Sequence, residues 1–348
     1  MNNHTIGFIG YGNMAQAIAQ GMVDAGVLDG EHIVACAAHY DKLERNAAKF
    51  GIRAVHTAAE VADAADVVVI AIKPYQIEDV IGPIVAKLAQ SSKFVVSIAA
   101  GWDLNKYRYL FGEQFDAVHI QCTIPNTPMA VSKGVLVTES DNTLSETQTE
   151  TFEQLFAPIS LIERVDSAHM GIAMCVAGCA PAFTDMYIEA LADAGVKYGL
   201  QRATAYRLAA KMVEGVGALY LATETHPGAM KDAVCSPGGT TIKGVASLEE
   251  SAFRGAIIKA VEGLSADLKR AVASSSAASL TKEHLRHAEK LAERLAAIER
   301  ALYERSDRLS QEMVRTAGIL TQLEHVERAL RTNDAALLQR TLPAAHYE

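Results

Sequence analysis

The segment that most constrains the fold of this chain lies within its first 25 residues. A short β-rich run at 6–9 is followed by apolar residues at helical spacing at 14–22, and between them lies Gly10–Ala15, which has the pattern GxGxxA. The first glycine of this pattern allows a tight turn, the second lets the backbone approach a pyrophosphate, and the small third residue lets the helix pack closely on the strand. The segment predicts a dinucleotide site, with an ordinary structural turn as the alternative. The residues predicted to contact the dinucleotide here are Gly10, Tyr11, Gly12, Asn13 and Met14.

Strands and helices alternate through the rest of the first half. The predicted strands are His32–Ala38, Val67–Ile72 and Phe94–Ala99, and the predicted helices are Asp41–Phe50 and Ile77–Leu88. Alternation of this kind is typical of an α/β fold with a doubly wound (Rossmann) parallel sheet.

Sheets of this type bind ligands beyond the carboxyl ends of their strands. Three segments at predicted strand ends consist of small or turn-forming residues, and we expect them to lie along the nicotinamide half of the dinucleotide. Any one of them alone has an ordinary loop as its alternative. The residues concerned are Ile72, Lys73 and Pro74 in the first segment, Ile98, Ala99 and Ala100 in the second, and Asn126 in the third.

The end of the second strand usually decides between NAD and NADP, because an acidic residue there binds the ribose 2′-hydroxyl. Cys36–Tyr40 has no acid at this point, which argues against strict use of NAD. His39, Lys42 and Arg45 could face a 2′-phosphate, but acidic residues stand among them. From these residues alone the coenzyme preference stays open.

Composition excludes several other classes of protein. The 348 residues are 50% hydrophobic, and their formal charge of −9 disfavours binding to nucleic acid or to an anionic membrane. We find no apolar run of the roughly 18 residues that a membrane helix needs and no secretion signal at the N-terminus, so we expect a cytoplasmic protein. Five scattered cysteines without a CxxC or HExxH pattern are expected to be reduced, and no metal site is predicted.

The second half of the chain is predicted to be helical from about Asp166 onwards. The predicted helix Ala205–Thr223 is apolar over more than one face, which a monomer could not bury by itself, so we expect a subunit interface there. The segments with this helical spacing are Ala182–Ala194, Arg202–Thr223 and Leu248–Ala273.

A loop rich in glycine and hydroxyl groups, Ser236–Thr241, leads into one of these helices. Consecutive N–H groups at a helix N-terminus can bind an anion, and two glycines let a small ligand come close to the backbone. A small carboxylate would suit this loop. The alternative is a helix start in which Ser236, Thr240 or Thr241 serves as the N-cap.

These segments resemble the pyrroline-5-carboxylate reductases, which make proline by reducing a cyclic imine. The resemblance covers about Ile6 to Arg270 and is most specific in His226–Glu249, HPGAMKDAVCSPGGTTIKGVASLE. The other matching segments are GFIGYGNMA (7–15), AIKP (71–74), SIAAG (97–101), PNTP (125–128) and IEALADAGVKYGL (188–200).

The resemblance implies a reductase of 1-pyrroline-5-carboxylate that uses NADP or NAD, with NADPH slightly favoured. It implies a homodimer formed through the helical domain, sometimes assembled further, and a small carboxylated cyclic imine as substrate. In the family, the hydroxyl matching Thr241 lies beside the ring nitrogen, and the glutamate matching Glu224 lies near the same site. The substrate-binding positions implied are Ser236, Gly238, Gly239, Thr240 and Ala233.

The chain departs from the family at positions around both ligands. The glycine-serine-glycine-proline-alanine-tyrosine helix start is here Gly178–Phe183, GCAPAF, and Asp166–Met174 replaces an acid-rich stretch. On the coenzyme side Cys36–Ala38 replaces serine-asparagine-arginine, and an asparagine expected near Ala58 is missing. Two alternatives therefore stay open, a reductase of a different imine or keto acid and a non-catalytic relative. A 3-hydroxyacid dehydrogenase would need a lysine at 170–180, where none occurs.

Three regions are predicted in all. Residues 1–163 form the dinucleotide-binding domain, 164–272 the helical substrate and dimerisation domain, and 273–348 a helical C-terminal extension. Two further helices, Lys282–Glu304 and Leu309–Leu330, are predicted in this extension, which we expect to pack on the dimer or to form a short coiled coil.

Overall fold

The computed structural model describes residues 4–264, 321, 323–328 and 331–332. The chain divides into two compact units, residues 1–265 and 266–348. The helix predicted at 282–304 lies outside the described residues. Of the helix predicted at 309–330, position 321 and the stretch 323–328 are described, and they are helical.

The first unit contains an eight-stranded sheet in the order β3-β2-β1-β4-β5-β6-β7-β8. The first six strands of the chain are parallel to one another. The strands are β1 (Ile6–Ile9), β2 (Ile33–Cys36), β3 (Arg53–Ala54), β4 (Val67–Ile70), β5 (Phe94–Ser97), β6 (Ile120–Pro125), β7 (Gly134–Glu139) and β8 (Ser160–Val165).

Helices cover both faces of this sheet, as predicted for a doubly wound fold. Strands β1, β2, β4 and β5 are buried along their whole length, which is why they consist of continuous apolar runs. One apolar cluster includes side chains of α1, α2 and α7, and the other includes side chains of α3 to α6. These helices are α1 (Asn13–Asp24), α2 (Tyr40–Ala47), α3 (Ala58–Ala64), α4 (Ile77–Ile81), α5 (Val85–Leu88), α6 (Leu104–Phe111) and α7 (Glu146–Phe156).

The observed elements differ from the predicted ones at two places in this half. The single helix predicted for Ile77–Leu88 is two helices, α4 and α5, separated by a 3-10 turn at Gly82–Ile84. Pro83 causes the break, because proline has no backbone N–H to donate within a helix. Strands β7 and β8 reverse direction, since β6 and β7 are antiparallel. The link 126–133 is too short for the crossover that a parallel pair needs.

The helical half begins where β8 ends, at Val165, as predicted. The helix predicted for Arg202–Thr223 forms with those bounds, whereas the one predicted for Leu248–Ala273 is interrupted. Its first part ends at Glu250, Ala252 takes a left-handed φ of 54°, and a second helical stretch runs from 253 to 264, where the continuous described segment ends. The helices of this half are α8 (Met170–Ala173), α9 (Pro181–Lys197), α10 (Arg202–Thr223), α11 (Pro227–Ala233) and α12 (Thr240–Glu250), with a π-helical stretch at Met174–Cys179.

Together α8, the π-helical stretch and α9 form one 28-residue helix, Met170–Lys197, with a mean hydropathy of 1.3 over its most apolar window. By length and composition this helix could cross a membrane. The sequence-based expectation that no segment is long and apolar enough for a membrane helix was therefore wrong on this criterion. One such helix is weak evidence for a membrane span. Only 6% of that window is buried within the chain, so its apolar surface is open to another partner.

Candidate active site

The predicted dinucleotide turn lies where the ends of β1, β2 and β4 meet. Gly10 has a φ of 95°, and a Cβ there would lie 2.7 Å from the carbonyl oxygen of Ala71. Its backbone N–H donates to the carbonyl of Cys36 at 2.9 Å, which fixes the turn between neighbouring strands. Only glycine meets both requirements, because other residues rarely adopt this φ and their side chains would collide with Ala71.

The start of α1 has the features of an anion site. Gly12 is its N-cap and makes no side-chain cap bond, and the first turn of α1 contains no acidic residue. A Cβ at Gly12 would have no atom within 4 Å, so the backbone is open to a ligand. Ala15 is 1% exposed and gives the close helix packing that the pattern predicts. These residues fit the pyrophosphate of a dinucleotide, which free N–H groups and the helix dipole would stabilise.

Tyr11 is directed into the protein and not towards that open space. It is 5% exposed, and its ring packs edge-on against Phe8 with 6.1 Å between the centroids. Its hydroxyl is buried without a hydrogen-bond partner among the described residues, and burial raises the pKa of Tyr11 to about 12. Of the neighbouring predicted residues, Asn13 is exposed and Met14 is partly buried against the core.

The end of β2 lies beside this turn. His39 is exposed at the N-cap of α2 and makes no side-chain cap bond. The ring of Tyr40 stacks on that of His56, with centroids 3.9 Å apart and planes 18° apart. The N-terminus of α2 therefore presents His39 and the stacked Tyr40–His56 pair directly after Cys36–Ala38.

Two further predicted segments, which follow β4 and β5, are tied to each other. Lys73 is exposed, and Pro74 begins a 3-10 turn in which the Lys73 N–H donates to Gln76 Oε1 at 3.2 Å. The indole Nε1–H of Trp102 donates to the Pro74 carbonyl at 3.1 Å. Ile72 and Ile98 are partly buried, Ala99 is 5% exposed, and Ala100 is exposed. The structure thus brings the glycine turn, the end of β2 and these segments to the carboxyl edge of one sheet.

Asn126, in the third predicted segment, is committed to the fold through its side chain. It is 6% exposed, its Nδ2 donates to the Ala177 carbonyl at 2.9 Å, and its Oδ1 accepts from the Val135 N–H at 2.8 Å. These bonds join the end of β6 to the π-helical stretch. Its contact with a coenzyme stays a prediction.

The glycine-rich loop of the second half ends at an uncapped helix. Gly239 is the N-cap of α12 and makes no side-chain cap bond, so the alternative with Ser236, Thr240 or Thr241 as N-cap was wrong. Gly238 has a φ of 70°, and a Cβ at Gly239 would collide with the Ser236 hydroxyl. The turn therefore needs both glycines, and it presents Ser236 beside the first N–H groups of α12. Thr240 and Thr241 are exposed in the first turn of that helix.

Thr241 and Glu224 are the two residues that the family resemblance predicts to be catalytic, and Glu224 ends α10 in an unusual conformation. It is the C-cap with a left-handed φ of 49°, its N–H donates to the Tyr220 carbonyl at 2.7 Å, and it is exposed. Such a φ is uncommon for a residue other than glycine, and strain of this kind often occurs at functional sites. Ala233 is exposed at the end of α11, the short helix between Glu224 and the glycine-rich turn.

The predicted site residues therefore form two groups. One lies at the edge of the sheet and the other on the helices α10 to α12, and no hydrogen bond joins them within the described part of the chain. The helical group is almost entirely exposed, whereas small-molecule sites usually enclose most of their ligand.

Sequence reasoning missed two residues that fix the loop after β5. Trp102 is one, and its position directly after SIAAG was the available signal. Glu139 is the other. It is 1% exposed, and its carboxylate accepts the Leu104 N–H at 3.1 Å and the Ser167 hydroxyl. A glutamate in the otherwise apolar strand GVLVTE was the signal for this buried carboxylate.

Comparison with known proteins identifies the family. A family described as pyrroline-5-carboxylate reductase dimerisation matches residues 167–272, and one described as NADP oxidoreductase coenzyme F420-dependent matches residues 5–101. The pyrroline-5-carboxylate reductase of Treponema pallidum is 40% identical over 257 residues, which cover 74% of this chain and 97% of that protein. The chain belongs to the pyrroline-5-carboxylate reductase family. The Escherichia coli member is 39% identical, with 74% of this chain and 94% of that protein covered.

Solved structures of this reductase family have the same fold. The pyrroline carboxylate reductase of Plasmodium falciparum with NADP bound superposes with a TM-score of 0.68 at 28% identity, covering 78% of this chain and 98% of that one. The pyrroline-5-carboxylate reductase of Coxiella burnetii gives 0.68 at 30% identity, covering 77% and 98%. The match to the dimerisation family also explains why α9 and α10 expose large apolar side chains such as Met186, Leu208 and Leu221.

Proposed function

We propose that this protein reduces 1-pyrroline-5-carboxylate to L-proline by hydride transfer from NAD(P)H. The observation that carries the proposal is the open N-terminus of α12, whose glycine-rich turn presents uncapped N–H groups and the Ser236 hydroxyl to a small anion. Relatives that share this chain's sequence over nearly their whole length are pyrroline-5-carboxylate reductases, which supports the same substrate here.

The coenzyme supplies the hydride when bound, and the chain supplies its position. The first-turn N–H groups of α1 and the open backbone at Gly12 hold the pyrophosphate. Pro74 and the segment Ile98–Ala100 border the nicotinamide half. Hydride transfer requires the donor and acceptor carbons to be held at close range, so the placement of these loops affects the rate directly.

On the substrate side, Ser236 and the N–H groups at the start of α12 bind the carboxylate. The Thr241 hydroxyl lies beside the ring nitrogen and orients it. A cyclic imine is basic enough to enter largely as its iminium, so the nitrogen already carries the proton that the amine product needs. No strong side-chain acid is then required, and the Glu224 carboxylate offsets the positive charge of the substrate.

NADPH is the slightly favoured coenzyme. Strict NAD enzymes of this fold place an acid at the end of β2, whereas here His39 stands at the exposed start of α2. A 2′-phosphate there would meet the N-terminus of α2 and the His39 imidazole, which can donate an N–H to it. The NADP-bound Plasmodium falciparum relative supports use of this coenzyme.

The working assembly is a homodimer, or a larger homo-oligomer, formed through the helical half. In a single chain the substrate group is exposed, and a second copy packed on α9 and α10 would cover apolar surface and enclose the site. The assembly is cytoplasmic and needs no nucleic acid, membrane or metal ion. The predicted division of the chain into regions 1–163, 164–272 and 273–348 is part of this proposal.

The deciding experiment measures coenzyme oxidation by the purified protein with pyrroline-5-carboxylate and either NADPH or NADH. Turnover is expected with both, and faster with NADPH. If the coenzyme were oxidised only with another imine or a keto acid, the substrate would be that compound and not pyrroline-5-carboxylate. If the protein bound the coenzyme without any turnover, it would be a non-catalytic relative.

Variants of Thr241 test the role of its hydroxyl. Thr241→Ala should lower kcat about tenfold to a hundredfold, because it removes a hydrogen bond to a charged group. Thr241→Ser keeps the hydroxyl and should restore most of the rate. Thr147→Ala, an exposed helical threonine in the sheet half, is the matched control. Wild-type kinetics in folded Thr241→Ala would remove this residue from the mechanism.

A further inference from the structure

Trp102, the one tryptophan in the sequence, connects two loops that follow neighbouring strands. It lies between β5 and α6, and its indole Nε1–H donates to the carbonyl oxygen of Pro74, 28 residues earlier, at 3.1 Å. The indole also packs on the ring of Tyr107, with centroids 5.0 Å apart and planes tilted by 50°. The side chain is partly buried, so the bond is shielded from water on one side.

Each of the two loops is already fixed within itself. In the loop after β5, the Trp102 N–H donates to the Ala99 carbonyl at 3.1 Å, and Lys106 Nζ donates to the Gly101 carbonyl at 2.6 Å. In the loop after β4, Gln76 and Lys73 exchange two hydrogen bonds at 2.9 and 3.2 Å. Within the described part of the chain, the indole bond is the one hydrogen bond between residues 72–76 and 98–106.

We propose that Trp102 is a positioning residue for the nicotinamide half of the coenzyme. It sets the separation between the Pro74 turn and the Ile98–Gly101 segment, and therefore the width of the gap that the nicotinamide enters. The inference rests on the proposed function, which assigns these two segments to the coenzyme. Trp102 acts through the loops and needs no contact with the reacting atoms.

Trp102 can act at a distance from the reacting atoms because each loop is rigid, so the hydrogen bond between the loops sets the distance between them. Without the indole N–H each loop keeps its internal bonds and stays joined to the other at its base, where the Ile98 N–H donates to the Ile70 carbonyl at 3.1 Å, but the hydrogen bond that holds the loops together beyond the strand ends is lost. Transfer between two carbons loses rate steeply with small misplacement, whereas the adenosine half, held at Gly12 and the end of β2, would be unaffected.

Trp102→Phe separates these effects, because it retains an aromatic ring against Tyr107 and removes the N–H donor. Binding is measured by calorimetry with two probes, NADPH and 2′-phospho-ADP-ribose, which lacks the nicotinamide. The expected result is a Kd for NADPH raised about threefold to tenfold, with the Kd for 2′-phospho-ADP-ribose unchanged, because NADPH must then hold the two loops at the separation that the indole bond maintains in wild type; the energy of one neutral hydrogen bond sets the upper bound of this cost. The kcat should fall as well, and Trp102→Tyr serves if the phenylalanine variant folds poorly.

Phe111→Leu is the matched control, since Phe111 is a 4% exposed aromatic residue of α6 that also packs on Tyr107 and makes no bond to Pro74. It should lower Tm while leaving the ratio of the two Kd values as in wild type. The inference is overturned if Trp102→Phe leaves this ratio unchanged, or if the control shifts it equally. A wild-type protein that binds NADPH without reducing pyrroline-5-carboxylate would contradict the proposed function alone, and one that binds neither probe would contradict both.

Discussion

Tyr11→Phe should stabilise the protein, although it removes a hydroxyl from the middle of the coenzyme-binding motif. The Tyr11 ring is almost fully buried, and its hydroxyl has no hydrogen-bond partner among the described residues. A buried polar group without a partner costs about 1 to 3 kcal/mol of desolvation. Phenylalanine has the same ring without that cost, so the free energy of unfolding near pH 7 should rise by about that amount.

The same hydroxyl makes the stability of the wild type depend on pH in the alkaline range. Burial raises the pKa of Tyr11 from 10.0 to about 12, so the folded state holds the proton more tightly than the unfolded state does. The protonated hydroxyl therefore contributes to the free energy of unfolding, and this contribution is complete below about pH 10 and is lost as the pH rises through about 12. Two pKa units correspond to about 2.7 kcal/mol at 25 °C.

Urea unfolding of wild type and Tyr11→Phe at a series of pH values from 7 to 12 measures both effects. The difference in free energy of unfolding should be about 1 to 3 kcal/mol at neutral pH and should widen by about 2.3 kcal/mol by pH 12, where the folded state is half ionised. Taking differences at each pH cancels the titration of other groups. Tyr75→Phe is the control, since Tyr75 is 80% exposed and should show neither effect.

Two results would refute this reasoning. If Tyr11→Phe is less stable than wild type at pH 7, the hydroxyl has a partner in solution. If the difference does not change between pH 9 and pH 12, the pKa of Tyr11 is not raised by burial.

Two further substitutions test other parts of the site. Gly12→Val should weaken NADPH binding about a hundredfold or more with little change in Tm, because the valine side chain would fill space that is open in the free protein. Calorimetry measures this binding. If the variant still bound NADPH tightly, the assignment of the pyrophosphate to the start of α1 would be wrong. Asn126→Ala should lower the free energy of unfolding by about 1 to 3 kcal/mol in urea, because it removes two hydrogen bonds made by a side chain that is 6% exposed. A loss no larger than that of exposed Asn105→Ala would show that the Asn126 bonds contribute little.

Much of the sheet half could be predicted from the sequence, because its signals are local. The glycine pattern needs only a turn of fixed shape, and Gly10 occupies it with the left-handed φ and the close approach to Ala71 that the pattern requires. Apolar runs also identified the buried parallel strands, although the observed strands end two residues before the predicted ends.

The features that sequence reasoning missed depend on interactions that a periodic pattern does not record. Strand β7 runs antiparallel to β6 because the link between them, residues 126–133, is short. The predicted helix Ile77–Leu88 is broken because Pro83 lies within an otherwise helical pattern. Glu139 and Trp102 act on residues 35 and 28 positions away, so their partners could not be inferred from neighbouring residues.

The substrate group was predicted through its family resemblance more than through its residues. Hydroxyl and glycine residues before a helix fit both an anion site and an ordinary capped helix start. The structure decides part of this question, since Gly239 and not a hydroxyl residue is the N-cap. In the proposed dimer a second chain would enclose this group further, and a single sequence points to such a partner only through its exposed apolar faces.

The π-helical stretch Met174–Cys179 has a consequence for how this region can change in evolution. Each wider turn, such as the one closed by the Ala180 N–H and the Cys175 carbonyl at 3.1 Å, accommodates one residue more than a regular α-helical turn. One residue turns an α-helix by about 100°, so losing a residue here would restore regular winding and keep the helix continuous. A single-codon deletion here could then change which side chains this stretch presents while leaving the faces of Pro181–Lys197 and Met170–Ala173 in nearly the same relative orientation.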